Sequence, residues 1–258
     1  MGSILEALSP EQQIACSTQN NILLTACPGS GKTRTLTHRL AYQVLRDPAS
    51  KKIKIAITYT NRAAEEITNR LEGMNIDQSS IWAGTIHQFC MHFIIRPYAM
   101  YSKRLCKGYR IIDDYSKKAY GREIAERLGM HLNYYDDPFQ YENVRTEYKR
   151  VLKEKKEIDF DAILLISEEL LASCAFIGSN IASVISSILV DEFQDTNELQ
   201  YSILSTIYKA NKSIILMFVG DVNQAIYSSL GGVAKGKKEL ETLYEINFDS
   251  LSLKGCYR

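Results

Sequence analysis

The sequence predicts an α/β fold, a parallel sheet with helices on both faces, interrupted by a mostly helical inserted subdomain. Three observations carry this prediction. Short apolar runs at residues 21–25, 54–59, 81–85, 185–190 and 214–219 have the length and composition of strands buried on both faces. Segments with helical spacing lie between several of these runs, and strands that alternate with helices pair in parallel through crossovers. Between residues 93 and 157 the strand signals thin out, and the segment holds nine of the sixteen tyrosines.

Ser9-Pro10-Glu11-Gln12 starts a helix, with Ser as N-cap and Pro in the first turn. Residues 21–25 form a buried strand that ends in a glycine-containing turn. Residues 32–45 follow as a helix whose Leu36, Leu40 and Val44 share one face. A second strand (54–59), a second helix (61–71) and a third strand (81–85) come next. Helices are expected at 116–128, 140–156 and 161–172, then two strongly apolar central strands at 185–190 and 214–219. The stretch 231–236 is a glycine-bearing loop. The expected division is an α/β domain from 1–92 and 158–258, with 93–157 as a helical inserted subdomain.

Bulk properties set limits. Of the 258 residues 45% are hydrophobic and 24% charged, as in a globular domain. A net charge of +1 gives no global signature of a polyanionic partner. Locally, residues 103–157 carry 14 Lys/Arg against 10 Asp/Glu, while 158–208 carry eight acids and no Lys or Arg. Solvated helix faces account for this as well as a basic module beside an acidic site does. The six cysteines are scattered without a C-x-x-C pair, which favours neither a zinc site nor a disulfide framework and fits a reduced, cytoplasmic compartment. No segment is apolar for long enough to span a bilayer, so no membrane association is expected. Residues 1–8 lack the cationic start of a signal peptide.

Ala26-Cys27-Pro28-Gly29-Ser30-Gly31-Lys32-Thr33, followed by Arg34, lies between a predicted strand and a predicted helix. That context suits a phosphate loop, in which glycines let backbone N–H groups turn around oxygen atoms and the helix N-terminus adds positive potential. In such a loop Lys32 reaches the β- and γ-phosphates and Thr33 places its hydroxyl on Mg²⁺. Residues 26–34 are the candidate ATP-binding set. At the end of another apolar strand, Asp191 and Glu192 supply a carboxylate for Mg²⁺ and a base for the attacking water. A solvated acidic turn explains this pair alone; together with the loop, the two halves of an ATP-hydrolysing site are present.

On these residues the chain resembles the first RecA-like domain of UvrD/Rep-type superfamily 1 DNA helicases, over nearly its whole length. Leu8-Ser9-Pro10-Glu11-Gln12-Gln13 is similar to the family's Q motif, which implies that Gln12 reads adenine. The loop at 26–33 is similar to A-G-A-G-S-G-K-T. Tyr59-Thr60-Asn61-Arg62-Ala63-Ala64 resembles F-T-N-K-A-A, and Gly84-Thr85-Ile86-His87-Gln88-Phe89 resembles G-T-F-H-S-F. The resemblance implies that Thr60, Asn61, Thr85, His87 and Phe89 line a path for single-stranded DNA; each is also an ordinary cap or core residue taken singly. Asp159-Phe160-Asp161 is similar to a D-F-D stretch that re-enters the motor domain. Asp191-Glu192-Phe193-Gln194-Asp195-Thr196-Asn197 matches the second ATPase motif. Gly220-Asp221-Val222-Asn223-Gln224-Ala225-Ile226-Tyr227 resembles G-D-D-D-Q-S-I-Y, which implies that Gln224 senses the γ-phosphate and Tyr227 borders DNA. Cys256-Tyr257-Arg258 resembles N-Y-R and places Arg258 near the γ-phosphate.

Two departures stand out. Ser229 and Leu230 replace the aromatic and arginine of G-W-R-G-A, and a lost base–aromatic stack costs roughly 1–3 kcal/mol per base. The sequence also stops at the motif arginine, which is expected of a fragment of a longer frame. Without a second RecA-like domain and its arginine finger, such a chain is expected to bind ATP·Mg²⁺ but to hydrolyse it slowly and not to unwind. The implied partners are single-stranded DNA and a second RecA-like domain. A second reading is an ATP-switched, non-unwinding subunit that docks on a nuclease or another partner in repair or phage defence.

Overall fold

The computed structural model describes residues 2–133, 135–221, 235–253 and 255. In chain order these form α1 (Gly2–Leu5), α2 (Pro10–Ser17), β1 (Ile22–Ala26), α3 (Lys32–Arg46), β2 (Ile53–Thr58), α4 (Asn61–Gly73), β3 (Ile81–Thr85) and α5 (Ile86–Phe89). A π-helical turn at Cys90–Ile95 follows, then α6 (Arg96–Tyr98), β4 (Arg110–Ile111), α7 (Asp114–Arg127), α8 (Glu142–Lys155), β5 (Glu157–Ile158) and α9 (Phe160–Ser173). The chain continues through α10 (Ala175–Val184), β6 (Ile185–Asp191), α11 (Glu198–Ala210), β7 (Ile215–Gly220), α12 (Lys237–Tyr244) and β8 (Asp249–Leu253).

Two compact units result, Met1–Phe89 with Ala175–Arg258, and Cys90–Cys174. The first is built on a six-stranded sheet in the order β3-β2-β6-β7-β1-β8. Every pairing in it is parallel. Parallel strands need crossovers, and the helices supply them on both faces. On one face α3 and α4 bury Leu36, Leu40, Ile67 and Leu71 against Leu24, Ala56, Leu189 and Val219 of the strands. This is the apolar stripe expected of α3, now extended to α4. The other face is aromatic: Phe218 of β7 packs against Phe193, Tyr201, Tyr244 and Phe248 at ring-centre distances of 5.4–6.2 Å. Alternation along β7 sends Met217 and Val219 to one layer and Phe218 to the other.

The helix starts follow the chemistry of their first residues. Ser9 caps α2 in a reciprocal box with Gln12, and Thr60 caps α4 by accepting from the Ala63 N–H at 3.1 Å. Asn197 and Gln200 form the same reciprocal box at α11.

The second unit has its own core of Ile112, Ile124, Val144, Tyr148 and Leu152. It is larger than the 93–157 expected for the insertion and runs to Cys174. The reason is local. β5 pairs with β4, and Asp159, which caps α9, also accepts from the Tyr148 hydroxyl at 3.0 Å. Lys117 of α7 adds an ion pair to Asp161 at 2.5 Å. The Asp159-Phe160-Asp161 stretch therefore starts a helix of the inserted unit and does not return the chain to the sheet. No described helix is long and apolar enough to cross a membrane.

Candidate functional site

The carboxyl edge of the parallel sheet is where open α/β sheets bind ligands. β1 delivers Ala26 there, and the chain turns through Cys27–Gly31 before α3 begins. Gly29 (φ +79°) and Gly31 (φ +86°) take left-handed conformations that a side chain disfavours. A Cβ at Gly31 would lie 2.7 Å from Nε2 of Gln12. Ser30 closes the turn, its backbone N–H and its hydroxyl donating to the Cys27 carbonyl at 3.2 and 2.7 Å. Gly31 is the N-cap of α3 and no side chain caps that terminus. The first N–H groups of a 15-residue helix are thus left for an external acceptor.

Lys32, the first residue of α3, donates to Oε2 of Glu192 at 2.7 Å. Thr33 Oγ1 lies 3.4 Å from Oδ2 of Asp191. Four side chains separated by some 160 positions meet at one point on the sheet edge. Asp191 is 6% exposed, and burial, reinforced by the neighbouring Glu192 carboxylate, raises its pKa to about 6 against the pull of Lys32. An anionic Asp191 in this place is stabilised by additional positive charge, the property of a metal ligand. Glu192 itself sits at φ +51°, ψ +49°. A non-glycine residue held in the left-handed region costs of order 1–2 kcal/mol, and such residues concentrate at functional sites.

Sequence reasoning missed Gln194. It is 3% exposed, and its Nε2 donates at 2.7 Å to the same Glu192 oxygen that Lys32 holds. Its Oε1 accepts from the Asp221 N–H at 3.2 Å. Both donors thus fall on Oε2 of Glu192, which fixes that carboxylate between β6 and the end of β7. The only sequence signal was its place two residues after Glu192 in the matched motif.

The remaining expected residues divide. Gln12 is 2% exposed; its Oε1 accepts from the Ser9 N–H and its Nε2 donates to the Ser30 carbonyl, both at 3.1 Å. Its amide braces the loop through that bond to Ser30. Arg34 donates to the Ala7 carbonyl at 2.8 Å. Thr60 and Asn61 begin α4 in exposed positions. Thr85 and His87 line a cavity of about 300 Å³ together with Tyr59, Asp191, Glu192 and Asp195. Phe89 corrects an expectation: it is fully buried and packs edge-on against Trp82 at 5.9 Å, so its ring offers no stacking face to a ligand. Tyr59, read from the sequence only as a replacement for Phe, is 59% exposed at the end of β2 and offers one. Gln224, Tyr227, Ser229, Leu230 and Arg258 lie outside the described residues.

A glycine loop leading from the first strand into α3, with a lysine and two carboxylates meeting across a wholly parallel sheet, defines an α/β P-loop domain of RecA-like type. The chain belongs to the AAA domain family, whose model spans residues 11–230. It is 27% identical to an ATP-dependent DNA helicase PcrA of Leuconostoc citreum, over 94% of this chain and 36% of that protein. It is 28% identical to DNA helicase II of Escherichia coli (strain K12), over 88% of this chain and 35% of that one. The chain thus spans about a third of the length of these relatives, and the UvrD/Rep-like relationship read from the motifs holds. Pif1 helicase from Candida albicans superposes with a TM-score of 0.43 at 12% identity, covering 96% of this chain and 40% of that one.

Proposed function

We propose that this chain is the ATP-binding motor domain of a UvrD/Rep-like DNA helicase, which hydrolyses ATP and moves along single-stranded DNA when joined to a second RecA-like domain. The observation that carries this reading is the meeting of Lys32, Thr33, Asp191 and Glu192 at the mouth of the 26–33 loop. The residues fit ATP and Mg²⁺. The uncapped N-terminus of α3 and the turned loop suit a polyphosphate. The Thr33 hydroxyl and Asp191 carboxylate are hard oxygen donors of the kind that hold Mg²⁺. When bound, the metal neutralises phosphate charge. Lys32 exchanges Glu192 for the phosphates, which frees one side of the Glu192 carboxylate. Glu192 then accepts the proton of the attacking water, held in place by Gln194.

Gln194 acts here as a positioning residue. Gln194→Leu keeps the volume and removes both hydrogen bonds, so turnover is expected to fall by about tenfold while KM for ATP stays within about twofold. Steady-state kinetics separate the two. A change in KM alone would assign Gln194 to packing.

DNA contact rests on the cavity beside Glu192. Tyr59 supplies a ring for sequence-tolerant stacking, while Thr60, Asn61, Thr85 and His87 supply polar groups suited to a phosphate backbone. The test is ATP turnover by the chain with and without single-stranded DNA, alongside fluorescence anisotropy with a labelled oligonucleotide. Tyr59→Ala is expected to weaken DNA binding by about 10- to 100-fold, the worth of one stacked base. If the oligonucleotide binds Tyr59→Ala and the parent equally, the path does not run here.

A further inference from the structure

The opposite, amino-terminal edge of the sheet carries a basic feature that the nucleotide site does not use. A cavity of about 360 Å³ opens there between the C-terminal end of α3 and the starts of β2 and β6. Its walls include Gln43, Arg46, Asp47, Ser50, Lys54 and Ser187. Lys54 is the unusual member. It lies in β2, opposite Ser187 of β6, and is 3% exposed. Its ammonium finds two neutral oxygens at the limit of hydrogen bonding, the Lys52 carbonyl at 3.4 Å and the Ser80 hydroxyl at 3.5 Å. No carboxylate lies within 4.0 Å of it among the described residues. A buried cation without a direct ion pair is costly, and here Asp47 of the same cavity acts on it only from beyond 4.0 Å.

The surroundings supply more donors. Arg46 is exposed at the rim and forms no ion pair among the described residues. The Ser187 hydroxyl donates to Oε1 of Gln43, a residue of the lining, at 2.8 Å, so the Gln43 amide keeps its nitrogen as a donor. Asp47 is the one acid of the lining. Burial lowers the pKa of Lys54 and the charge of Asp47 opposes that shift.

We propose that this cavity is an oxyanion site that takes a phosphate group, with Lys54 as its buried counter-charge and Arg46 and Gln43 as further donors. The ligand is either free phosphate or a phosphate of a nucleic-acid backbone, two sources with the same chemistry.

The test uses the full chain carrying Lys32→Ala, so that the 26–33 loop does not compete for anion. Thermal melts are compared in inorganic phosphate and in chloride at matched ionic strength. At tenfold excess over its Kd, phosphate is expected to raise Tm by about 3–5 °C. Lys54→Met, close in shape and uncharged, is expected to lose that shift while melting no lower than its parent in chloride. Arg46→Gln, at an exposed position, is expected to weaken phosphate binding by about tenfold and decides the matter if Lys54→Met does not fold. Equilibrium dialysis with radiolabelled phosphate and a short single-stranded oligonucleotide separates the sources. Displacement of phosphate by the oligonucleotide identifies a nucleic-acid backbone, and retention identifies the free anion. The C-terminus of α3 offers Lys54 a purely structural role, neutralising the negative end of the helix. That role predicts a Tm indifferent to phosphate, or a shift that survives both substitutions, and either result overturns the proposal. Because Lys32 is absent throughout, failure here leaves the nucleotide site untouched.

Discussion

Lys32→Ala is expected to lower ATP affinity by about a hundredfold, since each charge-assisted hydrogen bond to a phosphate contributes about 1.5–3 kcal/mol. The loss follows from position as well as charge. The Lys32 ammonium stands 2.7 Å from Glu192, with its side chain 10% exposed, at the mouth of the turned loop. Its removal leaves Asp191 and Glu192 adjacent with no cation between them. Asp191, already raised to about 6, then faces its neighbour unscreened, and a polyphosphate meets two carboxylates instead of an ammonium. Lys32→Arg tests geometry apart from charge, because the planar guanidinium does not replace a compact ammonium in a closed loop. Titration with a fluorescent ATP analogue reads both variants, and a melting curve confirms that they fold. Affinity unchanged in Lys32→Ala would remove the phosphate loop from this reading.

The sheet was legible because most of its strands are short, largely apolar runs. The runs at 54–59, 81–85, 185–190 and 214–219 match β2, β3, β6 and β7 to within a residue. β8 was not legible. Its Asp249-Ser250-Leu251-Ser252-Leu253 pairs only with β1, at the sheet edge, and exposes most of its residues, so no apolar run marks it. α10 was missed for a different reason. Its Gly178, Ser179 and Asn180 weaken helical propensity, and packing of Ile177 and Ile181 decides the outcome. The same divide runs through the site. Lys32, Thr33, Asp191 and Glu192 belong to motifs whose chemistry names the residue. Gln194 gains its meaning from where Asp221 lies, and Phe89 loses its expected one to Trp82. Burial is a property of the fold, and a motif letter does not carry it.

Glu192→Gln is expected to leave ATP bound and to slow hydrolysis by about 10²–10⁴-fold, the range for removing a general base. The substitution preserves shape, so Gln194 retains an oxygen to donate to, and the left-handed backbone at residue 192 is no more strained than before. The ion pair to Lys32 disappears. In the nucleotide-free protein that pair competes with the phosphates for the same ammonium, so nucleotide affinity is expected to stay level or to rise by a few-fold. Lys32→Ala and Glu192→Gln thus part on nucleotide affinity, which falls in the first and holds or rises in the second, although the residues touch each other. Glu192→Gly sharpens the contrast. Glycine accepts φ +51° without penalty, which offsets the lost bonds to Lys32 and Gln194, so stability is expected to hold to within about 1 kcal/mol, while hydrolysis is lost with the carboxylate. A chain that becomes no less stable and yet inactive shows that the strain at residue 192 positions the carboxylate and does not support the fold. Phosphate release measured beside nucleotide binding on the same preparations decides it. Turnover in Glu192→Gln within about tenfold of the parent would place the base elsewhere.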